Sequence, residues 1–144
     1  MGECAFVELP AEAGAPGKCR KLKRWLYGMR PAASAWEDDY AKNLEEDWFV
    51  RGLAAPTAFY NPGTGTRCVV HGDDFTFLGR DADLRRMSKR MAEWYEVKVR
   101  ALLGPEAGDD KEITILNRTV RWKTNEIEYE ADRKHAVKIW DCHL

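Results

Sequence analysis

The segment that most constrains the fold is the run VVHGDDFTFLG at residues 69–79. Two apolar stretches flank a Gly-Asp-Asp turn, and this pattern predicts an antiparallel hairpin. Gly72 permits the tight backbone of a hairpin tip, so the carboxylates of Asp73 and Asp74 lie side by side at its exposed end. Adjacent carboxylates on rigid strands are one way to hold divalent metal ions for phosphoryl chemistry. The alternative interpretation is that Asp and Gly are simply good turn formers.

Length and composition narrow the class of protein. The chain has 144 residues, enough for one domain with a hydrophobic core, and its formal net charge of -1 creates no overall positive field that would favour nucleic acid. Its four cysteines are widely spaced without a CxxC pair, no signal peptide is recognisable, and no apolar run reaches membrane-spanning length. We therefore expect an intracellular protein, cytoplasmic or nuclear, with no membrane association.

Hydrophobic periodicity predicts the remaining elements. Helices are predicted from Pro31 or Ser34 to before Gly52, after residue 81 or 83 as far as residues 94–95, and at residues 132–144. The first of them carries an apolar stripe at a spacing of four residues: Trp36, Tyr40, Leu44 and Trp48. Strands are predicted at residues 4–10, 58–60, 67–70, 75–78, 97–102, 113–116, 119–122 and 127–130. The pattern is that of an α+β protein, an antiparallel sheet with helices packed on one face.

A basic segment precedes the first predicted helix. Residues 18–25 carry five cations and no acid, with Trp25 and Tyr27 alongside. Cations interleaved with aromatic side chains can hold a phosphate backbone and stack bases. The alternative is a solvated face of lysines and arginines without a ligand.

Other sets of potential catalytic residues are incomplete. His71 precedes the aspartate pair, but no placed Ser or Cys nucleophile accompanies it, so a hydrogen-bonded structural histidine is the alternative. A two-metal site needs a further carboxylate. The acids at residues 37–39 and 45–47 are explained by a helix face and those at residues 109–110 by a turn, and the sequence does not visibly contain the missing ligand. Zinc-ligand spacing and glycine-rich phosphate loops are absent from the sequence.

Two motifs of this sequence resemble two motifs that occur in the same order in a known protein family. The segment LKRWLYGMRPAASAW at residues 22–36, followed by VHGDDF at residues 70–75, resembles the reverse transcriptase of copia-type retrotransposons. That family carries a K-L-x-x-[SA]-L-Y-G-L-[KR]-x-[AS]-x-x-x-W segment that opens a helix, and later an aromatic-x-Asp-Asp hairpin. The resemblance extends from residue 7 to the last predicted helix, and it implies the palm region of a polymerase.

The resemblance also implies the chemistry of the site. The family performs RNA-directed DNA polymerisation by two-metal nucleotidyl transfer, in which Asp73 and Asp74 would be catalytic ligands of Mg²⁺ or Mn²⁺. Its partners are an RNA or DNA template-primer and a deoxynucleotide. The residues implied to contact nucleic acid or nucleotide are Lys21, Lys23, Arg24, Tyr27, Gly28, Pro31 and His71. The last of these stands where the family usually has an aromatic residue.

On this resemblance, residues 1–144 form a single partial palm-like domain. The strand with the family's other catalytic aspartate would precede Met1, most of the fingers and the thumb would lie outside the chain, and integrase and ribonuclease H regions would belong to the parent polyprotein. We therefore expect the isolated chain to be inactive. The alternative function is a non-catalytic retroelement relic or a weak nucleic-acid-binding module that uses residues 18–30.

Overall fold

The computed structural model describes residues 4–13, 17–26, 28–124 and 126–130. The chain divides into two compact units, residues 1–90 and 91–144, with the boundary inside the second helix. The predicted α+β class is confirmed, since the described residues form two α-helices and three small antiparallel sheets. Neither of the helices described is long and apolar enough to cross a membrane.

The first unit contains a two-stranded ribbon and a four-stranded sheet. Its elements are β1 (Phe6–Glu8), a 3₁₀ turn (Ala11–Ala13), β2 (Cys19–Lys21), α1 (Arg30–Glu46), β3 (Val50–Arg51), β4 (Ala58–Tyr60), β5 (Arg67–His71), β6 (Asp74–Leu78) and most of α2 (Asp81–Trp94). Strands β1 and β2 form the ribbon, and the larger sheet has the order β3-β4-β5-β6. Consecutive strands are neighbours in both sheets, as short antiparallel connections require.

Helix α1 packs on one face of the four-stranded sheet. The ring of Tyr40 makes edge-to-face contacts with Phe59 (6.1 Å between centroids) and with Phe75 (5.7 Å). In β5, side chains alternate between buried and exposed because successive residues of a strand point to opposite faces. The face of the sheet turned towards α1 therefore carries the core, and its other face is open.

The end of α1 differs from the predicted apolar stripe. The N–H of Phe49 donates to the carbonyl of Leu44 (3.0 Å) and the N–H of Trp48 to that of Glu45 (3.1 Å), which is a Schellman arrangement. Trp48 thus takes the left-handed conformation (φ 69°) and is 80% exposed. The prediction that Trp48 continues the buried stripe is wrong, because the helix ends at Glu46 and Phe49 enters the core instead.

A buried carboxylate joins the end of α1 to α2. Asp47 accepts hydrogen bonds from Arg86 (3.1 and 2.9 Å) and from Arg90 (3.3 Å). A buried carboxylate without partners is strongly destabilising, so these arginines make its position tolerable. Both arginine side chains stay partly exposed, at 42% and 38%, while their guanidinium groups reach the buried carboxylate.

The second unit is built on a three-stranded antiparallel sheet. Its strands β7 (Glu112–Ile115), β8 (Arg118–Trp122) and β9 (Ile127–Glu130) lie in sequence order, which confirms the three predicted strands in this part of the chain. The predicted strand at residues 97–102 is wrong, because this segment has no regular structure. The helix predicted at residues 132–144 lies outside the described residues.

One isolated β-bridge, between Leu103 and Asp110, and several side-chain hydrogen bonds hold the chain after residue 101. The carboxylate of Asp110 accepts the N–H of Leu102 (2.9 Å), and the ammonium of Lys111 donates to the carbonyls of Gly104 (2.7 Å) and Glu106 (2.6 Å). These bonds satisfy backbone groups that a sheet would otherwise pair. The loop therefore has a defined shape without a strand.

Candidate functional site

The predicted Gly-Asp-Asp hairpin is confirmed. Strands β5 and β6 pair from Arg67 opposite Leu78 to His71 opposite Asp74, which leaves a two-residue turn at residues 72–73. Gly72 has a positive φ of 62°, the conformation that favours glycine at the first central position of a hairpin turn. The sheet therefore presents the aspartate pair at the end of a short, tightly closed ribbon.

The two aspartates have different environments. Asp73 is exposed in the turn, and among the described residues no cation forms an ion pair with it. Asp74 is half-buried as the first residue of β6, directly across the ladder from the exposed His71. Directly opposed residues share a face of the sheet. The structure thus brings together three of the residues predicted for the site.

Helix α1 holds the hairpin tip through a tryptophan. The indole N–H of Trp36 donates to the carbonyl of Gly72 at 2.8 Å, and its ring meets Phe75 edge-on at 6.1 Å. The sequence placed Trp36 on an apolar stripe and missed this hydrogen bond. The chemistry of the side chain could have predicted it, because a partly buried indole N–H normally donates to a hydrogen-bond acceptor.

An aromatic cluster lies beneath the tip. Tyr40 contacts Trp36 at 5.7 Å and Phe75 at 5.7 Å, and Phe75 stacks on Phe77 at 6.5 Å. Burial, with a smaller contribution from the charge of Glu37, raises the pKa of Tyr40, so its hydroxyl stays protonated at neutral pH. Interlocked rings of this kind fix the hairpin against the helix.

The fit of a metal depends on the number of oxygen donors. Among the residues that the structure describes, no three His, Cys, Asp or Glu side chains form a group that could hold a metal ion. The carboxylates of Asp73 and Asp74 would supply two oxygen ligands to a single hydrated Mg²⁺ or Mn²⁺ ion. A pair of ions about 3.5–4 Å apart needs further ligands, which the described part of the chain does not bring to the hairpin.

Comparison with known proteins does not assign this chain to a family. Comparisons with models of protein families, with curated proteins and with solved structures found no significant match.

The basic residues predicted to bind nucleic acid lie at the end of β2 and just after it, and β2 belongs to a different sheet from the hairpin. Lys21 ends β2, and Lys23 and Arg24 follow it, all three with exposed side chains. Gly28 has a positive φ of 88°, and Pro31 is half-buried in the first turn of α1, where proline fits because its missing N–H has no helical acceptor. Tyr27 lies outside the described residues.

The described cysteines differ in exposure. Cys4 and Cys19 are exposed, whereas Cys68 is buried in the core, and the three form no disulfide with one another. Burial raises the pKa of Cys68 to about 12, so this thiol is protonated at neutral pH and behaves as a small core residue.

Proposed function

We propose that the chain is part of the reverse transcriptase domain of a copia-type retrotransposon, with a palm-like arrangement that presents Asp73 and Asp74. The observation that carries the proposal is the hydrogen bond from Trp36 to Gly72. Trp36 closes the first motif of the resemblance and Gly72 belongs to the second. The two motifs of the resemblance, 36 positions apart at these residues, thus meet in space, and this contact supports the proposal.

In this proposal, Asp73 and Asp74 hold a Mg²⁺ or Mn²⁺ ion, which would supply charge stabilisation to the phosphates of a deoxynucleotide. The contribution of the chain itself is positional. Trp36 and Phe75 fix the hairpin, and the turn keeps both carboxylates at its end. Because the described residues offer ligands for only one ion, we propose that the chain on its own does not catalyse nucleotide transfer.

Mn²⁺ is expected to broaden the amide NMR signals of residues 72–74 selectively, because its unpaired electrons relax nearby protons. Asp73→Asn removes one charged ligand and is expected to abolish this broadening. The matched control is Asp38→Asn, because Asp38 and Asp39 are also adjacent acids but lie exposed on α1. Both variants are titrated with Mn²⁺ and the broadening of their amide signals is compared, while circular dichroism verifies that each variant is folded.

Equal broadening at both acidic pairs would show only non-specific attraction of the cation and would refute the hairpin site. Primer extension on an RNA template provides the second measurement. Extension by the wild-type chain that is lost in Asp73→Asn would establish polymerase activity and contradict the proposed inactivity.

A second candidate function is weak nucleic-acid binding by residues 18–30. The observation that favours it is the ribbon of β1 and β2, in which every side chain of β2 is exposed. The exposed cations on this strand and its flanks are Lys18, Arg20, Lys21, Lys23 and Arg24. A row of cations without burial can follow a phosphate backbone.

Replacing Lys21, Lys23 and Arg24 together with glutamine is expected to weaken binding to single-stranded RNA and to flatten its salt dependence. Each lost phosphate contact reduces the slope of log K against log salt by about 0.7. The control is Lys42→Gln, since Lys42 is an exposed cation on α1 paired only loosely with Glu46 (3.8 Å). Absence of wild-type binding at low salt would exclude this function and favour a relic.

A further inference from the structure

The two faces of the β7–β8–β9 sheet differ in charge. Glu112 lies opposite Arg121, and Arg121 lies opposite Glu128, so the three share one face. The guanidinium of Arg121 donates to Glu112, to Glu128 (3.2 Å) and to Glu130 (2.7 Å). Three carboxylates surround Arg121, and Lys123 forms an ion pair with one of them, Glu128 (3.1 Å). This face is therefore weakly acidic, and its charged groups are already engaged with one another.

The opposite face is apolar and aromatic. By strand alternation it carries Ile113, Ile115, Arg118, Val120, Trp122, Ile127 and Tyr129, which we call the β7–β9 platform. Ile127 and Tyr129 remain 54% and 55% exposed. The guanidinium carbon of Arg118 lies 5.7 Å from the centre of the Tyr129 ring, and Arg118 donates a hydrogen bond to the Tyr129 hydroxyl.

A second cation lies at the other end of the platform. Lys111 precedes β7, and its carbonyl accepts the N–H of Trp122 (2.8 Å). Its ammonium donates to two backbone carbonyls, and no described carboxylate forms an ion pair with it. Lys111 and Trp122 line an open cleft of about 450 Å³ together with Pro105, Lys123 and Thr124. The platform thus has an aromatic ring and a cation at each end.

We propose that the β7–β9 platform binds single-stranded nucleic acid, with bases stacked on Trp122 and Tyr129 and phosphates held by Lys111 and Arg118. Every base has an aromatic face, so such stacking is tolerant of sequence, while cations beside the rings attract the backbone. Trp122 and Tyr129 are diagonal neighbours on adjacent strands, about 7–8 Å apart, so each ring offers its own stacking surface. The acidic face repels phosphate and directs the strand to the platform.

Nucleic acid is also the partner in the proposed function, but the platform rests on different residues. A failure of Mn²⁺ to bind at Asp73 would leave the platform unaffected. Loss of the platform would in turn leave the hairpin site intact. The two proposals are therefore tested separately on the same full chain.

The test measures binding of fluorescein-labelled oligo(U) by fluorescence anisotropy over a salt series. Ile127→Glu and Ile127→Lys both remove the same exposed side chain, but only the first repels phosphate, so the first is expected to weaken binding and the second to preserve or strengthen it. Tyr129→Leu is expected to weaken binding at least about fivefold, since stacking contributes that much per base. Tyr129→Phe keeps the ring and is expected to retain binding.

Tyr60 provides a matched control in the first unit. Its ring is 43% exposed, with the guanidinium carbon of Arg67 at 5.5 Å from its centre, so its surroundings closely resemble those of Tyr129. Tyr60→Leu is expected to leave oligo(U) binding unchanged. Circular dichroism verifies the fold of each variant, and the Ile127 pair remains decisive if Tyr129→Leu does not fold.

Three results would overturn the inference. The first is wild-type protein that does not bind oligo(U) at low salt. The second is equal binding by the glutamate and lysine variants of Ile127, with all binding removed instead by the glutamine variants of Lys21, Lys23 and Arg24. The third is a wild-type dimer in analytical ultracentrifugation that Ile127→Glu dissociates without any effect on oligo(U), because a second copy would then cover the platform.

Discussion

Replacing Leu44 with alanine is expected to lower the free energy of unfolding of the first unit by about 2–5 kcal/mol. Leu44 is 1% exposed and lies on the inner face of α1 with Tyr40 and Ala41. The loss combines the transfer free energy of the removed carbons with the cavity that remains. Small domains are stable by only about 5–15 kcal/mol, so this change removes a large fraction of the total.

Leu53→Ala is the matched control, because Leu53 is fully exposed after β3. Surface substitutions of this kind change stability by no more than about 0.5 kcal/mol. Urea denaturation, monitored through the NMR signals of residues 30–78, measures the free energy of unfolding of the first unit independently of the second. Similar losses in the two variants would contradict the packing of α1 on the sheet.

Replacing Trp36 with phenylalanine and with leucine is expected to loosen the hairpin in two steps. Phenylalanine removes the hydrogen bond to the Gly72 carbonyl, worth about 1 kcal/mol. Leucine also removes the edge-to-face contacts with Tyr40 and Phe75, worth about 0.5–1.5 kcal/mol each. The leucine variant is therefore expected to lose about 2–4 kcal/mol in total. Hydrogen exchange of the amides of residues 71–75 measures both steps.

The same variants test whether α1 positions the aspartates. Trp36 is not a metal ligand, yet Trp36→Phe is expected to weaken the Mn²⁺-induced broadening at Asp73, because the turn that carries this carboxylate is no longer anchored. Trp48→Phe is the control, since Trp48 is exposed beyond the end of α1. Unchanged exchange and unchanged broadening in Trp36→Phe would remove the main support for the proposed function.

Several elements were predictable because they depend on local rules. The hairpin follows from β-branched and aromatic stretches on either side of Gly72, and the start of α1 follows from Pro31 and the periodicity after it. The strands of the second unit alternate clearly enough to be recognised individually. Adjacency in sequence also placed Asp73 and Asp74 together without any knowledge of tertiary contacts.

Other features depend on which segments meet, and local patterns contain no such information. The choice of Phe49 over Trp48 for the core follows from the reversal of the chain into β3, and the indole of Trp36 finds an acceptor 36 positions away. Residues 97–102 alternate like a strand, yet have no partner strand in the described structure. Periodicity determines which side chains share a face, whereas burial and pairing arise only when distant segments exclude water from each other.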